Sequence, residues 1–293
     1  MTLITLTTDF GLQDTYVGVM KGVIAGIAPG VPCIDLTHTI PAQDVQSAAY
    51  WLWTALPYFP PDSIHLAVVD PGVGTERRAL AAQTAWGIVV GPDNGVFSYV
   101  WEAAPPRQIV ALENPAYRLP APSATFHGRD VFAPAAAHLA RGIPLTEFGP
   151  PISDPVKLPA PHLESDEQSL AGAVIAIDHF GNAITSIGRL VWNGGLLRLD
   201  PAFGQGQALT LNPARMSVHV AGRDLGLVRH TYADASAGAP LALIGSAGML
   251  EIAVNRGHAV HELGVTLDTP VVLRTSRDEG SGIGDEGSGR LNP

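Results

Sequence analysis

Several carboxylates in this chain stand where an apolar run gives way to glycine or proline: Asp9 in TTDFG, Asp70 in VVDPGVG, Asp93 in VGPDNG and Asp178 in IDHFGN. In open α/β sheets, ligands bind beyond the carboxyl ends of the strands. Asp9, Asp70 and Asp93 are therefore expected to converge on one crevice, although any one of them alone reads as a turn residue. Asp70 and Arg77 flank the loop PGVGTE, where Gly72 and Gly74 allow tight turns that return Arg77 toward Asp70. The plainer reading of that pair is a surface ion pair. His127 in TFHGRD precedes a helix that Asp130 would cap, which puts it in the crevice rather than on a helix face. Asp9, Asp14, Asp70, Asp93 and His127 together would also suit Mg²⁺ or Mn²⁺.

The elements that must position these residues follow from hydrophobic periodicity. Strands are expected at 3–8, 31–35, 64–69 and 87–90, alternating with helices at 16–28, 46–56 and 131–141. The first helix places Met20, Val23, Ile24 and Ile27 on one face and stops at Pro29-Gly30. This alternation reads as an α/β N-terminal domain over 1–145. Prolines at 144, 150, 151, 155, 159 and 161 mark a linker over 146–170. Short strands at 173–177, 209–211, 218–220, 241–244 and 271–273, separated by Gly, Pro, Asn and Asp, suggest a small C-terminal β-barrel domain over 171–275. Residues 276–293 read as a disordered tail.

Composition narrows the partners. The chain has 293 residues, 46% apolar and only 15% charged, enough for a proper core. With 17 basic against 27 acidic residues its formal charge is −10, which is wrong for gripping nucleic acid and suits a small or cationic ligand. The one cysteine, Cys33, excludes an internal disulfide or a cysteine-built metal site and reads as an inert buried thiol. No stretch is apolar enough to span a membrane, and residues 1–10 lack the features of a signal peptide, so a cytoplasmic location is expected. The chain has no phosphate-binding G-x-x-x-x-G-K-[ST] loop, no G-x-S-x-G elbow and no H-E-x-x-H helix.

In order and spacing, TTDFGLQDTYVGVMKG, DLTHTIPAQDVQSAA, VVDPGVGTERRALA, GPDNGVF, TFHGRDVFAPAAAHLA, IDHFGNAITSI and SAGMLEIAVNRGHA resemble the S-adenosyl-L-methionine hydrolases (adenosine-forming). These are relatives of fluorinase and chlorinase, and the resemblance runs from about residue 3 to 275. It implies an α/β domain, a β-barrel and a homotrimer whose active sites lie between the N-terminal domain of one subunit and the C-terminal domain of its neighbour. It also implies attack of water or hydroxide on ribose C5′ of S-adenosylmethionine, giving adenosine and L-methionine. The hydrolase set of Asp, Arg and His falls on Asp70, Arg77 and His127. Halogenases carry tyrosine in place of that aspartate, and fluorinase has serine where this chain has Gly128.

The resemblance further implies that Asp9 holds the ribose hydroxyls, that Phe180, Asn182 and Tyr232 receive adenine, and that Asp178 with Ser246 takes the methionine ammonium. Two positions depart from the halogenase pattern: Ala247 follows Ser246 where arginine is usual, and Gln43 replaces a tryptophan. The implied chemistry is self-consistent. The leaving group is a neutral thioether and needs no acid, so the work lies in presenting water. Asp70 and His127 can orient it and accept its proton while Arg77 fixes Asp70. No metal or redox cofactor is expected. The alternatives are a non-catalytic S-adenosylmethionine or adenosine-binding protein, a halogenase, and a metal-dependent phosphoester hydrolase.

Overall fold

The computed structural model describes residues 2–166, 169–203 and 207–275, so the expected tail at 276–293 lies outside the described residues. The N-terminal half builds a six-stranded sheet from β1 (Ile4–Thr8), β2 (Cys33–Thr37), β3 (Ile64–Val68), β4 (Ala79–Thr84), β5 (Gly87–Pro92) and β6 (Gln108–Ala111), in the order β2-β1-β3-β5-β4-β6. The first four strands of that order run parallel, whereas β4 runs antiparallel to both β5 and β6. Strand residues alternate faces, so Ile64, Leu66 and Val68 enter one core while Ala67 and Val69 enter another.

The first core is closed by α1 (Tyr16–Ile27), through Met20 and Ile24, and by α4 (Ala133–Ala140). The second is closed by α2 (Val45–Ala55), through Ala48 and Leu52, and by α3 (Ser98–Ala103), through Val100. Helices thus cover both faces of the sheet, as the alternation of patterns requires. Burial of each large aliphatic side chain stabilises this arrangement by about 1.5–3 kcal/mol. The helix expected at 131–141 is entered through a π-helical turn, Gly128–Phe132, before α4 begins.

Residues 153–162 carry neither helix nor strand, but they are anchored. Arg78 binds the Asp154 carboxylate, and Asp93 accepts the Val156 N–H. Beyond them come β7 (Leu163–Ser165), β8 (Ser169–Ile177) and β9 (Ala183–Thr185). Next is a three-stranded meander of β10 (Leu190–Asn193), β11 (Leu196–Leu199) and β12 (Leu209–Leu211). The remainder comprises β13 (Met216–Val220), β14 (Arg223–Asp224), β15 (Val228–Arg229), β16 (Pro240–Ile244), β17 (Leu250–Val254), α5 (Ala259–Leu263) and β18 (Pro270–Thr275).

The larger sheet of this half follows the path β14-β13-β18-β8-β9-β17-β16-β15, with β7 paired to β8 beside it. Its first and last strands are joined by residues 225–227 alone. Such a connector spans at most about 14 Å. The ends of a flat eight-strand path would stand about 34 Å apart. The sheet must therefore curl into at least a half-barrel, and it does so around Leu170, Val218, Leu250, Ile252 and Leu273.

The two halves meet through an apolar seam in which Tyr50 and Trp53 of α2 and Tyr99 of α3 pack on Ile175, Ile184, Phe203 and Met249. The Phe203 ring centroid lies 4.5 Å from that of Tyr99 and 5.0 Å from that of Trp53. Among the described residues no helix is long and apolar enough to cross a membrane.

Candidate active site

Beyond the carboxyl ends of β1 and β3 lies a cleft of about 400 Å³ lined by Asp9, Asp70 and His127 among others. Asp70 follows β3 directly, and the chain then turns through Gly74 (φ 78°) to deliver Arg77 back to it. Arg77 grips the carboxylate with both arms, Nε to Oδ1 at 3.1 Å and Nη2 to Oδ2 at 2.5 Å. The two side chains are only 7% and 5% exposed, so the expected surface ion pair is a buried one. Nη2 also reaches His127 Nδ1 at 3.1 Å. A guanidinium can only donate, which gives Nδ1 the acceptor role and leaves the ring proton of neutral His127 on Nε2.

Electrostatics keep this cluster in one charge state. Burial pushes the Asp70 carboxyl above the usual carboxylate value, with Arg77 and His127 pulling the other way. His127 is held below the usual imidazole value, first by burial and then by the Arg77 charge, against the pull of Asp70. Burial and Arg77 thus favour the neutral imidazole, while Arg77 favours the ionised Asp70 against burial. Arg77 is further fixed over the Phe132 ring, 5.3 Å from its centroid.

Gly74 is what allows the loop after β3 to meet the loop carrying His127. A Cβ there would collide with the Ala124 carbonyl oxygen, and its positive φ disfavours any L side chain. Gly74→Ala is expected to destabilise the fold by about 1–3 kcal/mol from backbone strain and to cut activity through displacement of Arg77. Urea unfolding together with turnover checks both.

Asp9 enters the same cleft, where its Oδ2 accepts the Gln43 N–H at 2.8 Å; Gln43 itself adopts φ 67°, a conformation unusual for a side-chain-bearing residue. The cleft also contains a trio that the motifs did not single out: Phe10, Tyr16 and Phe126, with centroids 5.1 to 6.0 Å apart. Aromatic faces suit a cationic substrate centre, and the sequence hint was the position of Phe10 beside Asp9 and of Phe126 beside His127.

Two expectations need correction. Asp93 does not join Asp9 and Asp70, because β4 starts beside the end of β5 and brings Arg78 onto it. Nε and Nη2 of Arg78 lie 2.8 and 2.7 Å from Asp93 Oδ2. Nor does Asp130 cap the following helix. Lying inside the π turn, it accepts the Ser123 N–H at 2.8 Å and pairs with Arg129. Asp14 and Asp93 do not line the cleft, and among the described residues no group of three His, Cys, Asp or Glu could hold a metal ion.

The second set of residues lies elsewhere. Asp178 and Ser246 line a smaller cleft of about 120 Å³ that shares no residue with the first. Asp178 Oδ1 accepts the N–H groups of Phe180 and Asn182, and its Oδ2 accepts the Asn182 side-chain amide at 2.9 Å. Tyr232 approaches Asn182 at 3.5 Å and donates its hydroxyl to Glu251. Phe180 is 72% and Tyr232 42% exposed, which argues against ordinary core packing for either ring. Sequence reasoning missed Glu251, a carboxylate inside the buried strand β17, and its isolation in LEIAV was the available signal. Burial raises its pKa, while the Tyr232 hydrogen bond lowers it in part.

A covered α/β sheet with a buried Asp–Arg–His cluster at its strand ends, joined to a curled, mostly antiparallel sheet, defines a small-molecule enzyme class more closely than either half alone. The chain belongs to the SAM hydroxide adenosyltransferase family, matching its N-terminal domain over residues 4–149 and its C-terminal domain over 172–272. It is 48% identical over 275 residues to the (R)-S-adenosyl-L-methionine hydrolase of Thermus thermophilus, covering 91% of this chain and 97% of that one. The Fluorinase of Nocardia brasiliensis is similar at 28%, over 86% of this chain and 90% of its own. A crystal structure of an uncharacterized conserved protein from Thermotoga maritima superposes with a TM-score of 0.80 at 34% identity, covering 94% of this chain and all of that one.

Proposed function

We propose that this chain hydrolyses S-adenosyl-L-methionine to adenosine and L-methionine by attack of water or hydroxide on ribose C5′. The observation that carries this reading is the buried Asp70–Arg77–His127 cluster in a cleft that also presents Asp9. Asp9 accepts the ribose hydroxyls, and Asp70 takes the proton of the attacking water, its raised pKa making it a better base than an ordinary carboxylate. His127 donates Nε2–H to the same oxygen, since Arg77 already occupies Nδ1. A halide beside Asp70 would meet like charge, which disfavours halogenation.

Phe180 and Tyr232 supply faces for adenine and Asn182 meets its edge, while Asp178 and Ser246 hold the methionine ammonium. The separation of the two clefts supports a homotrimer in which each site joins the N-terminal half of one subunit to the C-terminal half of the next. The short connector between β14 and β15 supports closure of the curled sheet into a small barrel. The single cysteine supports a cytoplasmic setting.

Incubation of the purified protein with S-adenosylmethionine, with product identification by mass, tests the reading. Adenosine and methionine are expected in equal amounts, unchanged by a chelator or by millimolar chloride or fluoride. A 5′-halo-adenosine as main product, or a chelator block reversed by Mg²⁺, would sink it.

A further inference from the structure

His127 lines two cavities. One is the cleft with Asp9 and Asp70; the other, of about 250 Å³, lies on the Arg77 side of the cluster. Among the described residues no other borders both. Arg77 and Arg118 line the second cavity, whereas exposed Thr75, Glu76, Glu113 and Pro122 form its rim and open it to solvent.

Two donors of the arginines that line the second cavity have no acceptor. Nη1 of Arg77 and Nε of Arg118 are buried without a hydrogen-bond partner, although Arg118 donates Nη2 to the Leu112 carbonyl. Buried donors of this kind are costly unless water serves them, and a cavity of this size has room for several water molecules.

We propose that this rear cavity is the solvent port of the active site, through which the attacking water enters and the reaction's proton leaves past the His127 ring. The inference rests on the hydrolytic reading above. In that reaction an O–C5′ bond forms, the C5′–S bond breaks with its electron pair going to sulfur, and one proton per turnover must leave. A nucleoside filling the front cleft blocks the way out on that side. The rear cavity provides the other route, bounded by His127 itself.

Arg118 is the positioning residue of the port. The charged groups acting on His127 are Arg77, Asp70, Arg118 and Asp130. Arg77 and Arg118 oppose protonation of the ring, whereas Asp70 and Asp130 favour it. Burial and Arg77 do most to favour the neutral ring; Arg118 adds to this and holds water at its rear face.

The test narrows the port without touching the front cleft. Ala79 borders the rear cavity and not the front one, so Ala79→Phe fills it. The expected result is a kcat lowered by about tenfold or more with KM for S-adenosylmethionine unchanged. Proton release, followed with an indicator dye, should lag behind adenosine formation in a single turnover. Should Ala79→Phe lack a cooperative melt, Arg118→Met decides. Its kcat should fall at unchanged KM, and the acid limb of its pH profile should move to higher pH as His127 loses a neighbouring cation.

A folded Ala79→Phe with wild-type kcat and prompt proton release would overturn the port, as would a rise in KM matching the fall in kcat. So would an Arg118→Met profile identical to wild type. If the unmodified protein forms no adenosine, the hydrolytic reading falls and the port with it. An active wild type with unaffected variants removes the port alone.

Discussion

Asp70→Ala is expected to lower kcat on the order of 10²-fold or more while leaving KM within a few-fold of wild type, with Arg77→Ala and His127→Ala following the same pattern. In the proposed mechanism all three side chains act on the nucleophile, and none is needed to hold the nucleoside. Because Asp70 and Arg77 form a buried pair, removing one partner strands the other charge and costs about 3–5 kcal/mol of stability. Asp70→Asn, which keeps the shape and one acceptor, separates the chemical loss from the structural one. The pH profile supplies a second check. The proposed mechanism needs Asp70 ionised and His127 neutral, and both states are lost as pH falls. With Asp70 raised, the acid limb should lie above the ordinary carboxylate value of about 4. Activity should be level above it. Near-normal kcat in Asp70→Ala would remove this cluster from the mechanism.

Mixing two inactive variants is expected to restore activity. Asp70→Ala damages the N-terminal contribution to a site and Asn182→Ala the C-terminal one, since Asn182 ties Asp178 to Tyr232. If each site draws on two subunits, random reassociation of equal amounts leaves about a quarter of the sites with both halves intact. Recovery near that fraction of wild-type turnover, after dissociation and verified mixing, is the predicted result. A site built within one chain gives none, because every chain in the mixture carries a defect. Light scattering on the active sample provides the independent measurement, and an active monomer would rule out the shared site. The expectation follows from the candidate site residues: Asp9, Asp70 and His127 precede the linker and Asp178 and Ser246 follow it, and the two sets line clefts that share no residue.

Sequence by itself determined what depends on local patterns. The spacing of Met20 and Ile24 buries them on one face of α1, and the run Ile64–Val68 makes a strand that ends two residues before Asp70. The loop PGVGTE was legible as a reversal because its glycines can turn the chain, so the pairing of Asp70 with Arg77 could be read before any fold was known. The expectation of a crevice at the strand ends likewise rested on the alternation of strands and helices, which admits few architectures.

Tertiary structure decided which side chains share a space. Arg77 and Arg78 are neighbours in extended chain and point to opposite sides, so one meets Asp70 and the other takes Asp93 out of the site. Nothing local distinguishes those two aspartates; the antiparallel placement of β4 does. Burial of the Asp70–Arg77 pair and the cavity behind His127 come from the approach of segments some 50 residues apart, the aromatic trio from bringing Phe10 and Tyr16 to Phe126, and the Glu251–Tyr232 hydrogen bond from pairing across 19 residues. A sequence reveals which groups are available and how the chain turns beside them. Desolvation and shared walls arise only when distant segments pack, because both depend on what the rest of the molecule excludes.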